Sequence, residues 1–251
     1  MPIIVESAKG GSGATLVATA IALATDMPTV LVDLGGDVEH ALGVAADARP
    51  GALDWLRSNA PAARLDEFVV PIDERVGLVA AGRAAPLGSA SSSRVGDVDE
   101  ASRVDALFDW CRDHESRTGA LVVVDAGLVA AAHRRSGDGE PNHAASLEEA
   151  ASTTTVLVTR ACYLALRRHE GGTVRPDGVV LVAEPGRALS TRDIERSIGS
   201  PVVATIAWDP AVARAIDAGL VQTALPRPLR RSIRSLLDAV RTGHGTIANA
   251  A

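Results

Sequence analysis

Residues 3–20 of the chain read IIVESAKGGSGATLVATA, an apolar run followed by a glycine-rich turn and then by an alanine-rich helical pattern. The short apolar run is typical of a strand, and the pattern after residue 13 is typical of a helix. Backbone N–H groups of such a turn can converge on a phosphate, because glycine carries no Cβ and the helix dipole favours negative charge. We therefore predict a strand, a phosphate-binding loop and a helix, in that order.

The loop departs from the usual phosphate-binding pattern in the position of its lysine. In G-x-x-x-x-G-K-[ST] a lysine follows the last glycine and reaches the β- and γ-phosphates, and the next hydroxyl holds Mg²⁺. Here Gly13 is followed by Ala14 and then Thr15, and the lysine stands earlier, at Lys9. Among 25 lysine and arginine residues, Lys9 is the sole lysine. A lysine that occurs only in this loop indicates that the compact charge of an ammonium group is needed there. The simpler alternative is that Lys9 is present by chance on a surface turn.

The loop sequence resembles the deviant Walker A motif, KGGxGKT, of the ParA/MinD ATPases, with one of the two motif lysines missing. In that family the earlier lysine reaches across an ATP-sandwiched dimer to the partner's nucleotide, and the resemblance implies this role for Lys9. It also implies a homodimer and ATP or ADP with Mg²⁺ as cofactors. The nucleotide-binding residues that it implies are Lys9, Gly10, Gly11, Ser12, Gly13, Ala14 and Thr15.

Two aspartates follow predicted strands, at the edge where α/β sheets bind ligands. By resemblance, Asp33 matches the first acid of the family's D-x-D motif and is, with Lys9, a predicted catalytic residue. Gly35 stands where the second acid would help to orient water, so hydrolysis is expected to be weak unless Asp37 replaces that acid. Asp125 resembles the Walker B acid and, with Thr15, is the predicted Mg²⁺ ligand. The simpler interpretation of each aspartate is a turn or cap residue at a strand end.

The resemblance extends through the last three predicted strands and so covers nearly the whole chain. Two departures concern recognition of the base. Val182 or Ala183 stands where relatives carry an adenine-contacting asparagine, and Ala207 stands where they carry a proline. Trp208 is a candidate stacking residue for the base, with a packing aromatic as the alternative.

Seven short apolar runs alternate with helical patterns along the chain. This alternation predicts an α/β fold, P-loop NTPase-like, in which one domain holds a mostly seven-stranded parallel sheet with helices on both faces. The predicted strands are 3–5, 29–32, 76–80, 120–124, 154–158, 178–182 and 202–206; the predicted helices are 14–25, 52–58, 100–114, 147–151, 163–168, 191–198, 210–218 and 229–240. We expect loops at 84–98 and 134–143, one domain over 1–241 and a flexible tail over 242–251.

The composition of the chain indicates which partners and which cellular location to expect. The chain of 251 residues is 47% hydrophobic but only 2% aromatic, which suits parallel strands covered by helices. A net charge of −6 makes nucleic acid a less favoured partner. The two cysteines lack metal-ligand spacing, and no long apolar segment is present, so we expect a cytoplasmic protein. Arginines flank an apolar stripe in the last predicted helix, which either docks on the sheet or lies on a membrane surface.

Within the family, the loop without its second lysine looks most like the TadZ/CpaE-type proteins, which position pilus or secretion machinery. The function implied is a dimerising switch or scaffold that holds a machine of this kind, or a division site, at one place in the cell. It would act through a protein partner, and peripheral placement at the membrane or a cell pole is one option. Loss of one charge-assisted phosphate contact costs about 1.5–3 kcal/mol, roughly tenfold to a hundredfold in affinity. We therefore expect weak ATP binding with little or no turnover. The alternatives are an active partitioning ATPase on nonspecific DNA and a nucleotide-free scaffold.

Overall fold

The apolar run at the N-terminus forms a strand in the interior of the sheet. A computed structural model describes residues 1–45, 49–84, 100–127, 153–169, 175–223 and 225–242. In chain order the described elements are β1 (Ile3–Ser7), α1 (Ala14–Ala24), β2 (Thr29–Asp33), α2 (Val38–Leu42), α3 (Ala52–Leu56), a 3₁₀ helix (Ala62–Phe68), β3 (Val69–Pro71), β4 (Val76–Val79), α4 (Glu100–Thr118), β5 (Leu121–Gly127), β6 (Thr154–Arg160), α5 (Tyr163–His169), β7 (Gly178–Ala183), α6 (Thr191–Ile198), β8 (Val202–Ala207), α7 (Pro210–Asp217) and α8 (Arg227–Arg241).

The strands form one sheet in the order β3-β4-β2-β5-β1-β6-β7-β8. Every pairing in it is parallel except that of β3 with β4. The predicted α/β domain with a mostly parallel sheet is therefore confirmed. The structure adds an eighth strand, β3, which is three residues long and ends in Pro71, so it gives no alternating sequence signal.

Alternate residues of each strand face opposite layers of helices, because successive side chains of a strand point to opposite sides. On one face, Val5, Val158 and Val182 pack in the cluster that includes α1 and α8. On the other face, Ile4 packs with α3 and α4, and Leu157 packs with α5 and α6. All five residues of β1 are buried, as expected for a strand covered on both sides.

Two described helical segments, α2 and the 3₁₀ helix, were absent from the prediction. A five-residue helix is too short to show an apolar period, and the backbone of the turn before α2 is held by a buried side chain described below. The predicted helix at 147–151, the loop at 134–143 and residues 243–251 of the tail lie outside the described residues, as does all but one residue of the loop at 84–98.

The apolar side of α8 is buried in the protein's own core. Leu229, Ile233 and Leu236 are at most 3% exposed and pack in the cluster that covers the α1 face of the sheet. Since this face is used internally, it is not presented to a lipid surface. Across the described part of the chain, no helix is long and apolar enough to cross a bilayer.

Candidate functional site

The glycine-rich segment forms a closed turn between the end of β1 and the start of α1. The carbonyl oxygen of Lys9 accepts hydrogen bonds from the Ser12 N–H (3.1 Å), the Ser12 Oγ–H (2.6 Å) and the Ser7 Oγ–H. Gly11 and Gly13 have φ values of 75° and 98°, a left-handed conformation that side chains disfavour. The turn therefore depends on its glycines and leads directly into the N-terminus of an eleven-residue helix.

The side chains of the loop carry little positive charge. Ala14 is the first residue of α1, is 6% exposed and packs in the core, so no ammonium follows Gly13. Lys9 is half-buried, and its ammonium forms no salt bridge with any acid in the described part of the chain. Thr15 is also half-buried and follows Ala14 on the helix. Lys9 is therefore the only cationic side chain in the loop from Lys9 to Thr15.

Asp33 is buried at the end of β2 and organises the turn that follows. Its carboxylate accepts hydrogen bonds from the N–H groups of Gly35 (2.9 Å), Gly36 (2.7 Å) and Val38 (3.1 Å). Burial raises the pKa of Asp33 to about 6, while these three N–H groups lower it and the charge of Asp37 raises it. Asp33 therefore anchors the turn that follows β2, which is the simpler of its two interpretations.

Asp125 lies opposite Asp33, since the two are direct partners in the β2–β5 register. It is fully buried, and neither carboxylate oxygen makes a hydrogen bond of normal geometry to a described residue. Burial raises the pKa of Asp125 to about 7, with a further increase from the charge of Asp33; the nearby Thr15 hydroxyl and Gly127 N–H lower it. Two unpaired, buried oxygens beside a hydroxyl fit a hard cation such as Mg²⁺.

A cation here would need ligands from outside the protein. No group of three or more His, Cys, Asp or Glu side chains is placed to hold a metal ion within the described ranges. Mg²⁺ prefers six oxygen ligands and usually keeps several waters and substrate phosphates. Thr15 and Asp125 would therefore hold the ion together with a phosphate and water.

Gly35 lies against both buried acids. A Cβ added there would be 3.3 Å from Asp125 Oδ2 and 3.7 Å from Asp33 Oδ1. Asp37 is exposed at the start of α2, and its charge raises the pKa of both Asp33 and Asp125. Asp37 is therefore near the buried pair but is not buried with it.

The predicted base end of the site lies on the next strands of the same edge. A Cβ at Gly13 would be 3.7 Å from Val182 Cγ2, which places the end of β7 beside the loop. Trp208 follows β8, its N–H donates to the Ala183 carbonyl oxygen (2.8 Å), and its side chain is 42% exposed. Neighbouring strands lie about 4.8 Å apart, and β8 is the third strand from β1, so the two are roughly 14 Å apart. The structure thus brings Lys9, Thr15, Asp33 and Asp125 to one region and leaves Trp208 at its margin.

One charged cluster at this edge had no counterpart in the sequence interpretation. Glu184, directly after β7, accepts hydrogen bonds from Arg160 Nη1 (2.6 Å) and from Arg187 Nε (2.6 Å) and Nη2. The only available signal was the placement of Arg160 and Glu184 at the ends of two predicted strands. Their pairing depends on β6 and β7 being neighbours in the sheet.

A separate cavity of about 290 Å³ lies beside β3 and β4, on the far side of β2 from the loop. Its floor is apolar and includes Val70, Ile72 and Leu78, and its rim carries Arg64 and Glu67. Arg64 and Glu67 pair with each other at 3.1 Å. This cavity shares no residue with the loop.

A glycine-rich turn between the first strand and the first helix of a parallel sheet is the arrangement of the P-loop NTPase fold, here without the lysine that usually follows the last glycine. Similar solved structures include the ParA family ATPase from Chlorobium tepidum TLS (TM-score 0.63, 18% identity, covering 94% of this chain and 96% of that one). The MinC:MinD cell division protein complex of Aquifex aeolicus is also similar (TM-score 0.65, 14% identity, 100% and 99% covered). So is the septum site-determining protein MinD complexed with Mg-ADP from Pyrococcus horikoshii OT3 (TM-score 0.56, 17% identity, 96% of each chain).

These likenesses establish that the chain has the ParA/MinD type of P-loop NTPase fold. No family model and no curated protein matches the chain by sequence.

Proposed function

We propose that this chain is a ParA/MinD-like nucleotide-binding protein with degenerate catalytic motifs, acting as a dimerising switch or scaffold that positions a localised machine. The observation that carries the proposal is the composition of the loop and the acid pair. A closed glycine turn faces buried Asp33 and Asp125, while Ala14 and Gly35 remove one charge and one acid from the same place.

Nucleotide binding is supported by the parts of the site that remain. The loop offers backbone N–H groups and a helix N-terminus to the phosphates, and Lys9 offers an ammonium. Thr15 and Asp125 would hold Mg²⁺, which supplies neutralisation of phosphate charge when bound. Loss of one charged contact weakens such binding about tenfold to a hundredfold, so we expect weak affinity for ATP and ADP.

Turnover depends more strongly on the missing groups. Stabilisation of the charge that develops in the transition state usually contributes most to an enzyme's rate enhancement, and positioning of water adds to it. Ala14 cannot supply that stabilising charge, and Gly35 cannot help to orient the water. A protein that binds nucleotide but hydrolyses it little or not at all suits a positioning role of the TadZ/CpaE type, for a pilus, a secretion system or a division site.

The proposal includes a homodimer, a protein partner in the machine that is positioned, and a cytoplasmic location that the partner makes peripheral at a membrane or a cell pole. Support for a protein partner comes from the MinC:MinD complex of Aquifex aeolicus, whose MinD has the same fold. For this chain these partners stay proposals.

Calorimetry of Mg-ATP and Mg-ADP binding, together with size-exclusion chromatography and light scattering, tests the proposal. We expect measurable binding of both nucleotides and a dimer with ATP. Absence of binding at millimolar nucleotide would contradict the proposal and would favour the nucleotide-free scaffold.

A second candidate, a partitioning ATPase on nonspecific DNA, is favoured by one surface. Arg230, Arg231 and Arg234 are exposed on α8, and none has an acidic partner among the described residues. Such a row can neutralise phosphates, in which case affinity falls steeply with salt. Salt-dependent retention of random DNA that is lost in Arg230→Ala/Arg234→Ala, but kept in the exposed control Arg64→Ala, would support this function over the first.

A further inference from the structure

Three charged side chains form a cluster beside the phosphate loop. The Glu184 carboxylate is held between the guanidinium groups of Arg160 and Arg187, with 2.6 Å hydrogen bonds from Arg160 Nη1 and Arg187 Nε. The side chain of Glu184 is 15% exposed, and those of Arg160 and Arg187 are 36% and 43% exposed. Arg187 bonds Glu184 through Nε and Nη2, so part of its five-proton donor set remains available.

The sheet register places this cluster next to the loop. Ser7 at the end of β1 pairs with Val158, and the Ala8 N–H donates to the Val158 carbonyl oxygen, so the end of β6 that carries Arg160 lies beside the start of the loop. Arg160 also pairs with Val182, whose Cγ2 would be 3.7 Å from a Cβ added at Gly13. Because side chains alternate along a strand, Arg160 is directed to the same face as Val158, which is the face covered by α1.

A third group, the Cys162 thiol, is influenced by the charges of both Lys9 and Arg187. Cys162 lies between β6 and α5, and the N–H groups of Ala165 and Leu164 lower the pKa of its thiol. The charges of Lys9 and Arg187 lower the same pKa further, so both cations lie within electrostatic range of one sulfur atom. Lys9 in the loop and the cluster of Arg160, Arg187 and Glu184 beyond the ends of β6 and β7 therefore lie in one region at this edge of the sheet.

We propose that Arg187, supported by Arg160, provides the phosphate chain of a bound nucleotide with the positive charge that Ala14 cannot provide, and that Glu184 is the positioning residue for both arginines. This inference rests on the proposed function and identifies how the altered loop holds its ligand. An arginine binds phosphate through a planar fork of donors on a long side chain, so Arg187 can act from the segment after β7 rather than from the loop.

Titration of Mg-ATP by calorimetry into wild type, Arg187→Ala and Arg196→Ala tests the assignment. Arg196 is the matched control, because it is exposed on α6 and is paired with the acid three residues before it. We expect Arg187→Ala to bind ATP at least about tenfold more weakly, and Arg196→Ala to bind as wild type does.

The outcomes separate this inference from the proposed function. Wild type that binds ATP together with an Arg187→Ala variant of equal affinity overturns the inference alone. Wild type that binds no ATP overturns both. A loss of the same size for adenosine as for ATP would place Arg187 on the nucleoside and would overturn its assignment to the phosphates.

A lysine at position 14 tests whether Arg187 replaces the missing charge. Two cations that act on the same phosphates do not add independently. We therefore expect Ala14→Lys to strengthen ATP binding more in the Arg187→Ala background than in wild type. Equal strengthening in both backgrounds would show that the two positions act on different parts of the ligand, which contradicts the replacement.

The role of Glu184 is tested by whether its substitution strengthens or weakens ATP binding. Removing a negative charge would by itself strengthen anion binding, whereas loosening the two guanidinium groups would weaken it. We expect Glu184→Gln to bind ATP more weakly than wild type and Glu184→Asp to recover part of the loss. Stronger binding by Glu184→Gln would overturn the positioning role.

Discussion

At the scale of single residues, the site combines a loop short of positive charge with a pair of acids held out of water. Ala14 is buried in the core and carries no charge. The only lysine lies at the other end of the loop, at position 9. Asp33 is satisfied by three N–H groups, but Asp125 has no such partners in the described chain. Under the proposed function, Lys9 and Asp125 are therefore the charged groups of the loop and the strand end that a ligand would use.

The first prediction concerns Lys9. We expect Lys9→Ala to weaken ATP binding about tenfold or more, since a charged contact is lost, and to abolish any ATP-induced dimer. Ala14→Lys should strengthen binding without restoring hydrolysis by itself. Calorimetry and mass measurement in solution check both variants. Unchanged affinity and unchanged mass in Lys9→Ala would make the lysine a relic of the motif.

The second prediction concerns the pH dependence of stability. Burial raises the pKa of Asp125 to about 7 in the folded protein, against 3.8 for the free group. The folded state therefore favours the protonated acid, and the contribution of Asp125 to stability is complete below about pH 4 and is lost as the pH rises towards about 7. Since one unit of pKa corresponds to about 1.4 kcal/mol, the loss is at most about 4 kcal/mol.

An amide at position 125 mimics the protonated acid, so Asp125→Asn should raise the free energy of unfolding more at pH 8 than at pH 4. Mg²⁺ should stabilise wild type at pH 8 and have less effect on Asp125→Asn. Denaturant titration at the two pH values measures this. Asp26→Asn is the surface control, because the Asp26 side chain is 90% exposed. The same change in both variants would contradict the prediction.

At the scale of elements, α2 is fixed at both ends. Its start follows the turn held by Asp33, and its end packs against the end of α7 through two glycines. Gly43 has a φ of 68°, and a Cβ added there would overlap the carbonyl oxygen of Gly219. The end of α2 therefore depends on a close backbone contact with a segment far from it in the sequence.

Substitution of Gly43 by alanine tests this contact. Gly119 is the matched control, because its φ is 71° but a Cβ there would meet no atom within 4 Å. Gly119→Ala should cost about 1 kcal/mol from left-handed backbone strain alone, and Gly43→Ala should cost at least about 2 kcal/mol more, because one of the backbones must also move. The free energies of unfolding of the two variants check this prediction. An equal decrease in both would show that the backbones at the α2–α7 contact can move apart at little cost.

At the scale of the whole molecule, the sheet order places every predicted ligand of the nucleotide and metal at one edge. The loop follows β1, and Asp33 and Asp125 end β2 and β5, which are consecutive neighbours in the sheet. Parallel strands have their carboxyl ends at the same edge, which is where α/β sheets bind ligands. The fold therefore brings the residues that the proposed function assigns to nucleotide and metal to one place, next to Ala14 and Gly35.

The prediction at this scale concerns turnover. Phosphate release from ATP with Mg²⁺ should be near background, because a missing transition-state charge costs more than a missing ground-state contact. The rate of wild type should match that of Lys9→Ala within error in a continuous phosphate assay. Steady turnover by wild type that disappears in Lys9→Ala would show that Asp37 or another group restores the site.

The loop and the seven long strands could be predicted because their signals are local. Gly11 and Gly13 set the backbone of the turn through their left-handed conformation, and apolar runs of three to five residues mark strands whatever they pair with. The acids Asp33 and Asp125 could be placed at one edge because parallel strands end together. For these features, neighbouring residues along the chain carry the physical cause.

Tertiary structure alone decided the remaining features. β3 exists through its pairing with β4, and the apolar side of α8 is buried because it meets α1 and the sheet. Arg160 and Glu184 are 24 residues apart and meet only because β6 and β7 are neighbours. Contacts of this kind depend on which strands pair and in what register, and a single sequence carries no local signal for either.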